Sequence, residues 1–253
     1  MLPLSIEEVN IETMNACTRR CTYCKFGLER KWQKKVMSED VFEKILLDLK
    51  AIDYSGLIGP FVNNEPLLDK RITYFIKRIS IVLPKAGSYL FTNGDLLDMA
   101  LLRSLFEAGL RKIFISAHSD GRTGDFIEML RHFGEKRVSL MKFTEVDKTE
   151  AFHNRGGSIK SDIVKQTLFP DEGCCLPFRQ IVINPDGAVF LCCCDFYYDE
   201  AFDTVIRRSA VDIFLKNKKL NEIRERLARK TRRGLALCEH CSVPGYAPLL
   251  SLE

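Results

Sequence analysis

The sequence lacks the features of a membrane, secreted or nucleic-acid-binding protein. Its longest apolar stretches are far shorter than the ~20 residues that a membrane-spanning helix needs. The first residues, MLPLSIEEVNIE, include no basic segment followed by an apolar one, so we expect no secretion signal. With 38 Lys and Arg against 34 Asp and Glu, the net charge of +4 is too small to favour a nucleic-acid partner. We therefore expect a cytoplasmic protein that binds neither membranes nor nucleic acid.

Internal repeats and low-complexity segments are also absent, but cysteine is abundant. The 253 residues are 46% hydrophobic and 28% charged, which is typical of a globular protein that buries a core without disulfides. The ten cysteines occur in four clusters: Cys17, Cys21 and Cys24; Cys174 and Cys175; Cys192, Cys193 and Cys194; and Cys238 and Cys241. In a reducing compartment, clustered cysteines indicate metal binding or catalysis rather than disulfides.

Apolar periodicity predicts alternating strands and helices in the first part of the chain. The predicted strands lie within 4–14, 57–63, 88–91, 112–117 and 137–143. The first predicted helix begins after Ser38, which is its N-cap. Three further helices are predicted at 70–81, 95–108 and 124–133. Strands that alternate with helices indicate a parallel sheet covered by helices, and hence an α/β fold.

The alternation stops further along the chain. Residues 144–173 are polar and contain two adjacent glycines, which is typical of a linker. A Pro-Asp-Gly turn between apolar runs predicts a hairpin over 178–192, and helical periodicity returns over 211–230. We therefore predict an α/β domain at residues 1–147, followed by a linker and a small cysteine-bearing domain at 148–253.

The first cysteine cluster has the spacing of an iron–sulfur site. Cys17, Cys21 and Cys24 are separated by three and then two residues on one short segment. Three thiolates can hold three irons of a [4Fe–4S] cluster and leave the fourth iron open for chemistry. A zinc site is the alternative, although zinc prefers four ligands in closely spaced pairs.

This CxxxCxxC motif, with the aromatic Tyr23 before its last cysteine, resembles that of the radical S-adenosylmethionine (SAM) family. Three later segments resemble further family motifs in the same order. Phe61–Leu68 is similar to the GGEP segment, with asparagines in place of both glycines, and Thr92–Gly94 is similar to the TNG segment. Ser116 ends the fourth predicted strand, where relatives contact SAM. The resemblance implies a (β/α) barrel with its active site at the carboxyl ends of the strands.

The resemblance also implies a cofactor and a chemistry. SAM would bind the open iron, and a one-electron reductant of the flavodoxin or ferredoxin type would trigger its cleavage. The resulting 5′-deoxyadenosyl radical would take a hydrogen atom from a substrate. The residues that the resemblance assigns to SAM binding are Tyr23, Asn63, Asn64, Glu65, Thr92, Asn93 and Ser116.

The later cysteines follow a second family pattern. A Cys-x₁₂-Gly-x₄-Cys segment followed by CxxC resembles the twitch domain, the short form of the SPASM extension of radical SAM enzymes. It implies a small domain of a β-hairpin plus a helix that holds an auxiliary [4Fe–4S] cluster, so that the protein would contain two clusters. The implied ligands are Cys174, Cys192, Cys238 and Cys241. A shift of one ligand to Cys175 or Cys193, and a zinc ribbon, are alternatives.

An auxiliary cluster closed by four protein ligands is expected to accept an electron rather than to bind substrate. A carbinol radical becomes a carbonyl when it loses one further electron and a base removes its hydroxyl proton, so the pattern favours an oxidation. The whole pattern is similar to that of the small radical SAM dehydrogenases of aminocyclitol (2-deoxystreptamine) biosynthesis. This implies oxidation of a carbinol in an aminosugar, a cyclitol or a similar small molecule, on a shortened partial (β/α) barrel.

Several other residues have candidate roles. Cys175, Cys193 and Cys194 have no assigned ligand role, and free cysteines are usually small buried apolar residues. Alternatively, Cys193 or Cys194 returns a hydrogen atom to a substrate radical, which would make the enzyme an epimerase. Arg155 could bind the SAM carboxylate or a substrate group through its guanidinium. Modification of a ribosomal peptide is a further hypothesis, and a zinc-binding scaffold is the non-enzymatic one.

Overall fold

The computed structural model describes residues 4–28, 33–118, 121–142, 153–160 and 164–245. Five parallel strands form its N-terminal part: β1 Glu8–Ile11, β2 Leu57–Gly59, β3 Gly87–Thr92, β4 Lys112–Ala117 and β5 Val138–Lys142. Each pairs with the next along the chain. The helices are α1 Lys25–Leu28, α2 Glu39–Lys50, α3 Ile72–Val82, α4 Met99–Glu107 and α5 Thr123–Phe133. The predicted alternation of strands and helices is confirmed.

A sixth parallel strand comes from the C-terminal part of the chain. Strand β6 (Gln180–Ile183) pairs with β1, and Glu8 lies opposite Gln180. Two antiparallel strands, β7 (Ala188–Phe190) and β8 (Asp203–Thr204), continue the sheet. The sheet order is β5-β4-β3-β2-β1-β6-β7-β8, which describes an open partial barrel rather than a closed one.

The predicted hairpin is present, but its first strand extends the parallel sheet. All four residues of β6 are buried, as is usual for a parallel strand that is covered on both faces. The hydrophobic core accordingly includes residues from both parts of the chain, such as Ile183 and Phe214 together with Phe42. The predicted boundary at residue 147 lies outside the described residues.

Local chemistry accounts for where the helices begin. The Ser38 side chain accepts a hydrogen bond from the Val41 N–H at 3.3 Å, which confirms the predicted N-cap of α2. Helix α2 then packs its apolar face, which includes Phe42 and Leu46, against the core. No helix in the described part of the chain is long and apolar enough to cross a membrane.

The single helix predicted over 211–230 is two helices. After α6 (Leu176–Arg179), the chain forms α7 (Ala210–Lys216), α8 (Lys218–Ala228) and α9 (Ala236–Glu239). The break is at Asn217, whose backbone is extended. Its Oδ1 accepts a hydrogen bond from the Leu220 N–H at 3.0 Å, and its Nδ2 donates to the Phe202 carbonyl at 3.0 Å. Asparagine is a strong N-cap residue, so the apolar periodicity continues while the helix does not.

Replacing Asn217 with alanine should lower the free energy of unfolding by about 1 kcal/mol, because α8 loses its cap. Lys218→Ala is the matched control, since the Lys218 side chain is 91% exposed on the same helix turn. Anaerobic urea denaturation followed by circular dichroism measures both. Equal midpoints for the two variants would contradict the capping role.

Candidate active site

The first three cysteines lie on the loop between β1 and α1, and all three are half-buried. The Arg19 backbone N–H donates to Cys17 Sγ at 3.4 Å, and Asn93 Nδ2 lies 3.7 Å from the same sulfur. The Arg19 side chain also donates to the Asp95 carboxylate at 3.0 Å, which joins the loop to the segment after β3. The thiols therefore lie on a loop that is tied to the segment after β3, with N–H donors near one sulfur.

Glu65 holds the turn that follows β2. Its side chain is 2% exposed, and it accepts hydrogen bonds from the Thr92 hydroxyl at 2.6 Å and the Leu67 N–H at 3.0 Å. Its other oxygen accepts from the Asn93 N–H at 2.8 Å. Burial raises the pKa of Glu65 to about 7, and these three donors oppose that rise. The Asn93 side chain in turn donates to Thr18 at 2.8 Å. Glu65, Thr92 and Asn93 thus form one connected group beside the cysteine loop.

A cavity of about 510 Å³ lies inside the partial barrel, next to this loop. Cys24 forms part of its wall. Six further residues predicted from the sequence line it: Tyr23, Asn63, Asn64, Ser116, Arg155 and Cys193. Asn64 Nδ2 is buried and makes no hydrogen bond with the described residues. A buried amide without a partner at a cavity wall suits a polar ligand.

A buried polar network forms the deep end of the cavity. Asn10 Nδ2 donates to the Tyr89 hydroxyl at 2.7 Å, and the Tyr89 hydroxyl donates to Glu8. Gln180 Nε2 donates to Glu8 at 3.1 Å and to Asn10 at 3.0 Å. Gln180 Oε1 accepts from the Cys193 N–H at 3.0 Å. The network therefore joins β1, β3 and β6 and holds a carboxylate inside the barrel.

This network has only a weak signature in the amino-acid sequence. Glu8 and Asn10 are two residues apart on β1, so the strand period places both on one face. That polar face inside an otherwise buried strand was the available signal. Gln180 had none, because its pairing with β1 joins residues that are 172 positions apart.

Arg155 also lines the cavity, beside Cys193. Its backbone is in the left-handed region, with φ of 49°, and its Nη1 donates to the Cys193 carbonyl at 3.4 Å. Its guanidinium lies 5.9 Å from the centre of the Phe196 ring. Burial lowers the pKa of the neighbouring His153, and the positive charge of Lys165 lowers it further, so its imidazole is neutral near pH 7.

The segment that carries Arg155 is anchored on the last cysteine pair. The Asn154 N–H donates to Ser242 Oγ at 2.8 Å, and Asn154 Nδ2 donates to the His240 carbonyl at 2.9 Å. Gly156 has a positive φ and packs so closely that a Cβ there would lie 2.2 Å from Leu237. Arg155 is thereby fixed between the first cavity and the second cysteine site.

The remaining cysteines form a second site in the C-terminal part. Cys174, Cys192, Cys238 and Cys241 line one small cavity together with the apolar Leu176, Pro177, Leu237 and Val243. Burial raises the pKa of Cys174 to about 12 and also raises that of Cys238, whereas Arg232 in the cavity wall lowers both. The structure brings the four predicted ligands together.

The cysteines without a predicted ligand role divide between different places. Cys193 lines the first cavity, whereas Cys194 lines the second with the four thiols. Cys175 is buried and lines neither. The hypothesis that Cys194 supplies a hydrogen atom to a substrate stays a prediction, and the position of Cys193 in the first cavity favours Cys193 for that role.

The two cysteine groups supply thiols alone as possible metal ligands. Within the described ranges, no three His, Cys, Asp or Glu side chains converge closely enough to hold one metal ion. A zinc site needs four ligand atoms at about 2.0–2.3 Å from one point, whereas a four-iron cube spaces its thiolates more widely. Thiols are the usual ligands of iron–sulfur clusters, and four thiolates can also bind one zinc ion.

Comparison with known protein families agrees with this donor chemistry. The model described as the radical SAM superfamily matches residues 11–146. The model described as the SPASM iron–sulfur cluster-binding domain matches residues 174–242. The two matches cover the first three cysteines and the last seven respectively.

Individual proteins are similar over different lengths. The S-adenosyl-L-methionine-dependent 2-deoxy-scyllo-inosamine dehydrogenase of Niallia circulans is 24% identical over 236 residues, which are 92% of each chain. A GTP 3′,8-cyclase of Campylobacter curvus is 32% identical over 114 residues, or 44% of this chain and 34% of that protein.

Two solved structures show the same fold. The crystal structure of BtrN in complex with AdoMet and 2-DOIA superposes with a TM-score of 0.83 at 23% identity, covering 96% of this chain and 95% of that one. Streptococcus suis SuiB bound to precursor peptide SuiA superposes with a TM-score of 0.57 at 12% identity, covering 87% of this chain and 67% of that one.

Gly27→Ala should displace the first cysteine loop, because a Cβ at residue 27 would lie 2.0 Å from the carbonyl oxygen of Cys21. We expect loss of iron from the first site and a fall in SAM cleavage on the order of 10²-fold, as for a displaced reacting group. Gly124→Ala is the matched control, since it also lies in a helix and a Cβ there has no described atom within 4 Å. Iron content and 5′-deoxyadenosine formation are measured for both variants after anaerobic reconstitution. Wild-type values for Gly27→Ala would refute the prediction.

Proposed function

The chain belongs to the radical SAM superfamily, and from this premise we propose that it oxidises a carbinol of an amino-substituted cyclitol or aminosugar. The enzyme uses SAM and iron–sulfur clusters for this reaction. One observation carries the proposal: a single cavity connects the three-cysteine loop with a buried carboxylate, and it reaches Cys193 beside the second cysteine site. A small polar substrate placed there would be close to both cysteine groups.

The donor sets fit two [4Fe–4S] clusters. Cys17, Cys21 and Cys24 would hold the first, on a loop where all three residues are half-buried and the Cys17 sulfur accepts an N–H donor. The second would be held in the apolar cavity by Cys174, Cys192, Cys238 and Cys241. When bound, these groups and SAM supply hydrogen-atom abstraction and the removal of one electron.

The residues of the first cavity are suited to hold SAM next to Cys24. Tyr23, Asn63 and Ser116 line the wall, and Asn64 offers an amide N–H₂ that has no described partner. Glu65 acts indirectly in this proposal. Both of its carboxylate oxygens are engaged by the turn, so it positions the segments around the SAM site.

The deep end of the cavity is suited to an amino-substituted polyol. Glu8 makes no ion pair with any residue in the described ranges, and its carboxylate would pair with a substrate ammonium group. Asn10, Gln180 and Tyr89 offer donors and acceptors to substrate hydroxyls. The Niallia circulans relative is named for acting on 2-deoxy-scyllo-inosamine, an amino-substituted cyclitol. The volume of about 510 Å³ is within the usual range of small-molecule sites.

Arg155 would bind the oxygen of the carbinol that is oxidised, or the SAM carboxylate. Its guanidinium contacts a backbone carbonyl and an aromatic ring, so it retains donors for a ligand oxygen. A hydroxyl held there is oriented, and a negative charge that develops on its oxygen is stabilised. A flavodoxin- or ferredoxin-type protein would supply the starting electron in the cytoplasm, where thiols stay reduced.

Anaerobic reconstitution tests the proposal. We expect about eight irons per chain, four for each cluster, and 5′-deoxyadenosine formation with dithionite. With 2-deoxy-scyllo-inosamine or a related aminocyclitol, we expect a product two mass units lighter, and much slower turnover of scyllo-inositol, which lacks the amine.

A Cys174→Ala/Cys192→Ala variant should retain about four irons and SAM cleavage but lose the ketone product, because the electron acceptor is gone. Cys175→Ala is the control, since Cys175 lines neither cavity. Ketone formation at the wild-type rate in the double variant would exclude the auxiliary cluster from the reaction. Stoichiometric zinc without iron would overturn the proposal as a whole.

Epimerisation is the second candidate, because Cys193 lines the cavity and is joined to Gln180 of its deep end. It predicts a product of unchanged mass in ordinary water and one that is one mass unit heavier in heavy water, through one deuterium taken from the solvent. This product should be lost in Cys193→Ser. A dehydrogenase would keep forming ketone in that variant. Mass spectrometry of the products from Cys193→Ser and Cys175→Ser separates the two reactions. Peptide modification has no comparable support, since the likeness to SuiB at 12% identity shows the fold alone.

A further inference from the structure

Arg232 is a buried cation in the wall of the second cysteine cavity. It lies between α8 and α9, its side chain is 1% exposed, and it lines the cavity with the four thiols. It is the one charged residue among the described residues that line this cavity; the others are cysteines and apolar side chains. A charge in this position is unusual, because charged side chains are seldom buried without a partner of opposite charge.

The hydrogen bonds of Arg232 do not neutralise its charge. Its guanidinium makes five hydrogen bonds with described residues, and every acceptor is a backbone carbonyl. Two groups of carbonyls are involved, those of Glu172 and Gly173 just before Cys174, and those of Cys241 and Val243. The bonds use all three guanidinium nitrogens and join the two segments that carry these cysteines, but they leave the positive charge intact.

An iron–sulfur cluster held by the four thiols would be a partner of opposite charge for Arg232. A cluster ligated by four thiolates is an anion, and an apolar cavity screens its interaction with a nearby cation far less than water does. Positive charge close to an iron–sulfur cluster favours its reduced form, which carries one more negative charge, and so raises the reduction potential. The bonds to the ligand-bearing segments keep the guanidinium at a fixed place in the cavity wall.

We propose that Arg232 is the built-in countercharge of the auxiliary cluster and that it makes this cluster a better electron acceptor. It acts as a positioning residue for electron transfer, not as a catalytic group. The inference rests on the proposed function, since Cys174, Cys192, Cys238 and Cys241 must first hold a cluster. It adds the reason why this cluster accepts an electron from a substrate radical.

Two substitutions and a matched control test the proposal. Arg232→Gln removes the charge and keeps an amide donor, whereas Arg232→Lys keeps the charge and loses the planar fork. Arg224→Gln is the control. Arg224 is likewise buried, at 4% exposed, in the same part of the chain. It donates to the Pro177 and Phe214 carbonyls but does not line the cavity.

All variants are made in a chain in which Cys17, Cys21 and Cys24 are alanine, so that only the auxiliary cluster contributes. Potentiometric titration followed by electron paramagnetic resonance gives the reduction potential. Arg232→Gln should lower the equilibrium constant for reduction at least tenfold, a shift of about 59 mV for one electron. Arg232→Lys should stay closer to the parent, and Arg224→Gln should match it.

The outcomes separate this inference from the proposed function. A parent chain without about four irons means that the four cysteines hold no cluster, and then the proposed function fails as well. A loaded cluster whose potential is the same in Arg232→Gln and Arg224→Gln overturns the role of Arg232 alone. If Arg232→Gln does not fold, Arg232→His replaces it. A reduction potential that falls relative to the parent chain as pH rises through the histidine pKa supports the proposal. A reduction potential equal to that of the parent chain at every pH overturns it.

Discussion

The parallel pairing of β6 with β1 is the interaction on which the rest of the site depends. It places Gln180 opposite Glu8 and so completes the polar end of the first cavity. The same strand is preceded by Cys174 and followed, after the hairpin, by Cys192 and Cys193. A shift of one residue in this register would turn Gln180 to the other face of the sheet and separate it from Glu8. The first cavity and the second cysteine site are therefore fixed by one strand pair.

This pairing explains why neighbouring cysteines line different cavities. The hairpin returns the chain to the edge of the first cavity, and there the Cys193 N–H bonds to Gln180 while Cys192 and Cys194 lie in the second cavity. Arg155 contacts the Cys193 carbonyl from the opposite side, on a segment that is anchored to the last cysteine pair. Residue 193 thus forms the boundary between the two cavities, within one short stretch of backbone.

The features that the sequence predicted correctly are those that depend on local patterns. Apolar periodicity located the strands and helices of the first part, and Ser38 marked the start of α2. The cysteine spacing grouped the four later thiols that line one cavity. The features that it missed depend on distant residues. The place of β6 beside β1, the partnership of Glu8 with Gln180 and the burial of Arg232 follow from contacts across the whole chain. At Asn217, local capping chemistry overrode a correct periodicity, so the predicted helix was broken in two.

The two cavities contain buried charges of opposite sign, each without an ion-pair partner among the described residues. Glu8 lies at the deep end of the first cavity and Arg232 in the wall of the second. Burying a charge costs several kcal/mol unless a partner compensates it, so a chain selected only for stability would have replaced both. Each charge instead matches the group that its cavity is proposed to hold, an ammonium group in one and an anionic cluster in the other. Ligands that bind only the folded chain stabilise it, so the cost of each charge is offset when its cavity is filled.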